Sequence, residues 1–219
     1  MPLNSVYVLY THFTKQLPEA LFEEYLGHLP KTLQETNGRY VRWQDRTANL
    51  LGKVLLRYGL KLVGQDFSLR DLKYNPFNKP FLNEEIDFSI SHSGEYVVCA
   101  LGIRQKVGVD IEEIKRIQLD DFKQFFTQEQ FESILYASDP HMEFYKLWTI
   151  KESVVKADGR GLSFPLLNIR IRGDKALLPD KEWHLQKLDI ADNYSAYLAY
   201  DRDGTTFLER ELYCERIDF

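Results

Sequence analysis

Cysteine is scarce in this chain of 219 residues: there are two, Cys99 and Cys214, each in an apolar, strand-like run and without metal-ligand spacing. Two buried, reduced thiols are expected, and that usage suits the cytosol. Positive charge in excess is also missing. The net charge is −5, whereas a protein held to nucleic acid by general electrostatics carries a basic stripe and a high isoelectric point. No nucleic-acid partner is expected, and any anion site must be local. No apolar run approaches the ~18 residues of a membrane span, and the N-terminus has no charged segment leading into an apolar one. No membrane association is therefore expected, and the cytoplasm is the expected compartment.

With 44% hydrophobic residues, the chain can bury a sizeable core, as one large domain or two compact halves. The most informative stretch runs from Leu147 to Leu162. It reads as the last turns of a helix entering a glycine loop, because Asp139-Pro140 supplies an N-cap and a first-turn proline and Gly159 suits the residue after the last turn. Residues four apart share a helical face, so Trp148, Glu152 and Lys156 form one row while Leu147, Ile150 and Val154 turn toward a core. Taken alone, Glu152 and Lys156 make an ordinary surface pair worth about 0.2–0.5 kcal/mol.

A second acidic element lies upstream, Gly108-Val109-Asp110-Ile111-Glu112. In a strand Asp110 and Glu112 point one way while Val109 and Ile111 face a core. Two carboxylates on one face repel, and a divalent cation is a common resolution. Magnesium in particular is usually held by one or two carboxylates together with substrate phosphates and water, and Glu152 would be a third carboxylate.

The two stretches, G-V-D-I-E and W-T-I-K-E-S-V-V-K-A-D-G-R-G-L, resemble the two signature motifs of the 4′-phosphopantetheinyl transferase superfamily, in the same order and at about the usual interval. With a complete upstream half, the chain is similar to the two-half monomeric Sfp type rather than to the short trimeric holo-acyl-carrier-protein synthase type. The resemblance implies an α+β fold of two similar halves, about 1–105 and 106–219, related by a pseudo-twofold axis with the active site in the cleft between them. It implies a monomer that uses magnesium and coenzyme A, with an acyl or peptidyl carrier protein as its partner. Asp110, Glu112 and Glu152 would hold the ion, Asp110 also bordering coenzyme A. Glu152 and Lys156 would be catalytic, with Lys151 as a secondary phosphate contact.

The remaining segments carry weaker signals. A strand is expected at Val6 to Tyr10, a short helix at Pro18 to Gly27, and a longer one from about Arg39 to Leu62 with a buried stripe through Leu50, Leu51, Val54 and Leu55. Arg42, Arg46 and Asn49 fall on another of its faces, which is either solvated or turned to a phosphate. The resemblance places Asn49 near the 3′-phosphate of coenzyme A and matches Lys31 to an early phosphate-binding lysine. Gln44 stands where some members carry arginine. Asn75 to Leu82, with two prolines, cannot be helical. Within it Asn78-Lys79-Pro80 resembles the family's Gly-Lys-Pro, which borders adenine and coenzyme A phosphates, and asparagine tolerates positive φ. Ile86 to Leu101 reads as a hairpin through Ser93-Gly94. Ser91 and His92 at its turn resemble the family's N-[IV]-S-H-S segment and would meet a phosphate, with Ser89 in the asparagine's place. A capping box at Thr127 to Gln130 opens a helix through Ala137. Ahead of it Phe122, Phe125 and Phe126 are core or, if exposed, a carrier-docking patch. Hairpins from Leu166 to Tyr200 and a strand near Phe207 to Tyr213 complete the chain.

The expected activity is transfer of the phosphopantetheine arm of coenzyme A to a carrier-protein serine, releasing adenosine 3′,5′-bisphosphate. A metal-dependent phosphohydrolase is a rival, but it would bring more carboxylates or histidines for a second ion. A non-catalytic binding module is the other rival, and it would leave carrier proteins unmodified.

Overall fold

The first alternating run forms β1 (Ser5–His12). Pro18 and Pro30, with their fixed φ, each precede a helix, α1 (Glu19–Gly27) and α2 (Lys31–Gly38). The helix expected from Arg39 begins later, as α3 (Trp43–Leu62), because Arg42 is extended and caps it. α2 carries a single apolar residue, Leu33, so no apolar stripe marks it in the sequence. Then come the short strands β2 (Lys73–Tyr74) and β3 (Pro80–Phe81), the hairpin of β4 (Ile86–Ser93) and β5 (Tyr96–Ile103), and β6 (Val107–Glu113). The capping box is formed in full at α4 (Gln128–Leu135), which stops two residues before Ala137. α5 (Pro140–Asp158) is capped by Asp139, whose carboxylate accepts from the amides of His141 and Met142, and it ends at Gly159 with φ 83°. The last strands are β7 (Arg170–Arg172), β8 (Lys175–Leu177), β9 (Glu182–Lys187), β10 (Tyr194–Tyr200) and β11 (Thr206–Glu211). The structure, a computed structural model, describes residues 5–64, 68–201 and 206–211, without the side chains of 162, 206 and 208–211. Residues 212 and 213 of the last expected strand, and Cys214, lie outside the described residues; Cys99 is a buried free thiol.

The architecture is α+β. One sheet has the order β11-β1-β5-β4 and the other β6-β10-β9-β8-β7. α3 covers the outer face of the first sheet, packing Leu51, Val54 and Leu55 against Leu9, Phe88 and Leu101. α5 covers the second in the same way, with Ile150, Val154 and Ala157 against Trp183 and Ala199. Each half is thus built on one long helix laid across a sheet, antiparallel throughout in the second half and antiparallel but for the β1–β11 pair in the first. The inner faces meet in a third core, where Val6, Val8, Val98 and Ala100 pack with Val107, Val109, Ile111 and Leu198. A division into consecutive halves at 105/106 fails for the last strand, since β11 returns to pair in parallel with β1. Phe126 is buried and Phe122 and Phe125 half-buried, in ring contact with Phe144 and Trp148, so this aromatic group is core and not an exposed patch.

β6 pairs with β10 along one edge only. Its other edge is buried against β4, and buried amides without partners would be costly. Side-chain oxygens satisfy them at a period of two. The amides of Val107, Val109, Ile111 and Glu113 donate to Asp87 Oδ2, Ser89 Oγ, Ser91 Oγ and Ser93 Oγ at 2.9, 3.1, 3.4 and 3.1 Å. The polar alternation of β4 is therefore a ladder that ties the two sheets together.

The approach of α5 to β6 is set by one glycine. A Cβ on Gly108 would lie 2.0 Å from the Ser153 carbonyl oxygen and 2.2 Å from the Ala157 amide nitrogen, both backbone atoms that cannot turn aside. Gly108→Ala is expected to push helix and strand apart and to lower stability by about 1–3 kcal/mol or more, the range of overpacking. Thermal denaturation checks this, and an unchanged melting temperature would contradict it.

Candidate active site

The two ties just described place four groups together. Asp110 and Glu112 leave β6 on the side away from the inner core, and Glu152 and Lys156 lie one turn apart on α5. Asp110 is 3% exposed, and its Oδ1 accepts from Ser91 Oγ at 2.8 Å and from Lys156 Nζ at 2.6 Å. Lys156 also donates to Ser91 Oγ at 2.8 Å. Its ion pair is thus with Asp110, across the joint. Asp110 Oδ2 is buried with no hydrogen-bond partner. Glu112 accepts from Ser93 Oγ at 2.8 Å.

The carboxylates feel one another. Burial, then Asp110, push the Glu112 carboxyl above its ordinary range, with Glu152 adding to the rise; burial and Asp110 do the same for Glu152. Among the described residues no three His, Cys, Asp or Glu side chains form a ready metal cage. The donor set is nevertheless one for a hard cation: an orphaned buried carboxylate oxygen beside two carboxylates whose crowding a positive ion would relieve.

A cavity of about 450 Å³ opens from this cluster along the seam between the halves. Asn49, Lys53 and His92 line it from the first half, and Glu152, Lys156 and Gly159 from the second. The β2–β3 hairpin roofs it. Asn75 builds that hairpin, its Oδ1 accepting from the amides of Phe77 and Lys79 while its Nδ2 donates to the Gly159 carbonyl at 2.9 Å. Asn78 has φ 64°, the left-handed conformation its side chain permits. Tyr74 and Phe77, large and exposed, form an apolar lip.

The expected site residues divide. Asn49, Asn78, Lys79, Pro80, His92, Glu152 and Lys156 all line this cavity, and Ser91, Asp110, Glu112 and Trp148 line the adjoining recess. His92 is the penultimate residue of β4 rather than part of the turn. The surrounding wall and then the Lys156 ammonium hold its pKa below the ordinary value. Lys79 lines the cavity, but its ammonium is already engaged, donating to Asp87 Oδ2 at 2.7 Å and to the Val107 and Ala157 carbonyls at 3.3 Å. It holds the joint together. Asn49 is fixed between Asn37 and the Tyr40 hydroxyl. Arg46 stacks over Phe22 and donates to Asn37, and Arg42 is exposed at the helix start. Lys31 is exposed at the first position of α2 and does not line the cavity.

Lys151 corrects the expectation of a phosphate contact. It is fully buried and faces away from the cavity, donating to the Leu166 and Phe125 carbonyls at 2.7 and 3.2 Å over the Phe126 ring. One residue from Glu152 on a helix is about 100° round it, which carries Lys151 to the core side. Missed by the sequence reading were Lys53, Asn75 and Asp87. Lys53 left a signal: it interrupts an apolar stripe one turn after Asn49.

Acidic groups and a lysine converging at the end of an elongated, partly apolar cleft suit phosphoryl transfer, in which charge neutralisation and alignment do most of the work. The comparisons with known proteins agree. A family model described as the 4′-phosphopantetheinyl transferase superfamily matches residues 106–203, and one described as 4′-phosphopantetheinyl transferase, N-terminal, matches 18–103. The 4′-phosphopantetheinyl transferase gsp of Aneurinibacillus migulanus is 32% identical over 162 residues, covering 73% of this chain and 68% of that protein. The 4′-phosphopantetheinyl transferase Sfp of Bacillus subtilis (strain 168) is 33% identical over 68% of this chain and 69% of its own length. The L-aminoadipate-semialdehyde dehydrogenase-phosphopantetheinyl transferase of Saccharomyces cerevisiae is 33% identical over 68% of this chain and 59% of its own. The chain belongs to the 4′-phosphopantetheinyl transferase superfamily.

The buried Lys151 gives a pH-dependent prediction. Burial lowers its pKa from 10.5 to about 8. The unfolded chain therefore binds more protons between those values, and stability contributed at this position rises with pH across that window. Wild type should gain stability relative to Lys151→Met between pH 8 and 10.5, read from paired denaturant titrations. A constant difference across the window would show that the ammonium is not desolvated.

Proposed function

We propose that this protein transfers the 4′-phosphopantetheine arm of coenzyme A to a serine of an acyl or peptidyl carrier protein. The observation that carries the reading is the meeting of Asp110, Glu112, Glu152 and Lys156 at one end of a cleft of nucleotide size, in a chain of this superfamily. The serine Oγ attacks the phosphorus that bears the pantetheine arm, and the bond from that phosphorus to the oxygen of adenosine 3′,5′-bisphosphate breaks. Glu152 takes the serine proton, directly or through one water. Lys156 faces the diphosphate, where negative charge grows on the leaving group. Asp110, Glu112 and Glu152 would hold Mg²⁺, which when bound supplies charge neutralisation at the diphosphate. All these side chains come from one chain, so a monomer suffices. No helix among the described residues is long and apolar enough to cross a membrane, and we take the protein to work in the cytoplasm on soluble carriers.

Intact-mass measurement of apo carrier proteins incubated with coenzyme A and Mg²⁺ tests the reading. Addition of the phosphopantetheine group is expected, and cleavage of coenzyme A without an acceptor would point to a hydrolase instead. Two variants separate the roles. Glu152→Gln removes a base and a crowded charge, so turnover should fall by about 10²-fold or more while the melting temperature holds or rises. Lys156→Ala should cost about as much turnover, but it also strips Asp110 of its counter-ion, so its melting temperature should fall. Near-wild-type turnover in either would remove that residue from the chemistry.

Magnesium has a readout of its own. Raised carboxyl pKa values mean that the folded state binds more protons than the unfolded one above the ordinary carboxylate range, so crowding costs stability as pH rises through it. Mg²⁺ should therefore raise the melting temperature more at pH 7.5 than at pH 5, where protons compete for the same oxygens. An equal effect at both, or none in wild type, would count against the ion.

A further inference from the structure

The hairpin that roofs the cavity is too short to hold its own position. β2 and β3 pair over two residues each, Lys73 with Phe81 and Tyr74 with Pro80, and so small a ladder is not stable by itself in water. Yet its turn supplies Phe77, Asn78 and Lys79 to the cavity lining. The end of α5 fixes that turn at both of its ends. At the last residue of the turn Lys79 Nζ donates to the Ala157 carbonyl at 3.3 Å, and at the first Asn75 Nδ2 donates to the Gly159 carbonyl at 2.9 Å. One tie would leave the turn a pivot, whereas two fix its tilt. Both cross the seam, since the turn belongs to the first half and α5 to the second.

Asn75 does not itself line the cavity; it acts through the residues that do. Its Oδ1 accepts from the amides of Phe77 and Lys79 at 2.9 and 2.8 Å, so one planar amide shapes the turn and tethers it at once. Gly159 admits the contact, because a Cβ there would lie 3.3 Å from Asn75 Nδ2 and 3.1 Å from Lys79 Cδ, closer than such atoms ordinarily pack. On the reading given above, on which this inference rests, the diphosphate of coenzyme A lies at the acidic cluster and the nucleotide fills the cavity beneath the roof. We propose that Asn75 is a positioning residue: by clasping the β2–β3 turn to the end of α5 it holds the roof in place before coenzyme A arrives, and so sets the affinity for coenzyme A without acting on the chemical step. A roof fixed in advance spares the ligand the cost of ordering it. The chemical step is untouched because Asp110, Lys156 and Glu112 are held separately, by Ser91 and Ser93 of β4.

Steady-state kinetics with an apo carrier protein, together with calorimetric affinities for coenzyme A, test the proposal on wild type, Asn75→Ala and Asn75→Ser. Serine keeps an uncharged acceptor for the amide two residues on but is too short to reach the Gly159 carbonyl. Both variants should raise the KM and the Kd for coenzyme A about threefold to tenfold, the size of one lost hydrogen bond. Their kcat and their KM for the carrier protein should stay within about twofold of wild type, the pattern of a loss in binding alone. A fall in kcat that matches the rise in KM, an unchanged coenzyme A affinity in Asn75→Ala, or wild-type affinity in Asn75→Ser would each overturn the assignment, the last because shaping the turn would then suffice without the tether. Wild type that binds coenzyme A and leaves carrier proteins unmodified would overturn the transferase reading, and the calorimetric comparison would still decide the role of Asn75.

Discussion

The structure depends on how the open edge of β6 is satisfied. That strand must carry Asp110 and Glu112 to the surface of the cleft, and its pairing with β10 leaves four amides facing the other sheet. A backbone partner there would merge the two sheets into one. Oxygens from Asp87, Ser89, Ser91 and Ser93 do the task instead, each reaching from a neighbouring face of β4 to one amide. The sheets are thereby locked in register without being hydrogen-bonded backbone to backbone. Two rungs also reach the candidate site: Ser91 holds Asp110 and Lys156, and Ser93 holds Glu112. Joint and site are one construction.

Charge is distributed along this joint with a clear division. At its structural end Lys79 and Asp87 neutralise each other and join hairpin, sheet and helix through two carbonyls. At the end that forms the candidate site the balance is left incomplete, with three carboxylates near one lysine and, among the described residues, one buried carboxylate oxygen without a partner. Such sites sacrifice stability for function, and the surrounding packing must over-determine them. Here it does: the helix that carries Glu152 and Lys156 touches β6 backbone to backbone at Gly108, leaving no slack in the distance between the acidic groups.

Much of this was legible in the sequence, for physical reasons particular to each element. The α5 row and its caps could be read because a helix fixes relative side-chain directions and because Asp139, Pro140 and Gly159 each have one clear use. The β4 alternation showed two faces, but not that the polar face would meet a strand edge, since a period of two marks a solvated face equally well. α2 was invisible for lack of an apolar stripe. Lys151 went astray, and Lys79 lines the cavity with its ammonium already engaged, for a common reason. A lysine in a motif suggests an anion, and only the fold shows whether its ammonium meets carbonyls and an aspartate first. The return of β11 to the first sheet is a long-range pairing that local pattern does not encode.

The claim that the joint builds the site is tested most directly by comparing Ser89→Ala with Ser91→Ala in the same carrier-modification assay. Each leaves one buried amide of β6 without its acceptor, at about 1–3 kcal/mol, so both should melt lower. Ser91→Ala also releases Asp110 and Lys156, and its turnover should fall about tenfold or more as their alignment is lost, while Ser89→Ala stays close to wild type. Equal turnover in the two variants would contradict the account, because the ladder would then hold the sheets together without setting the positions of the reacting groups.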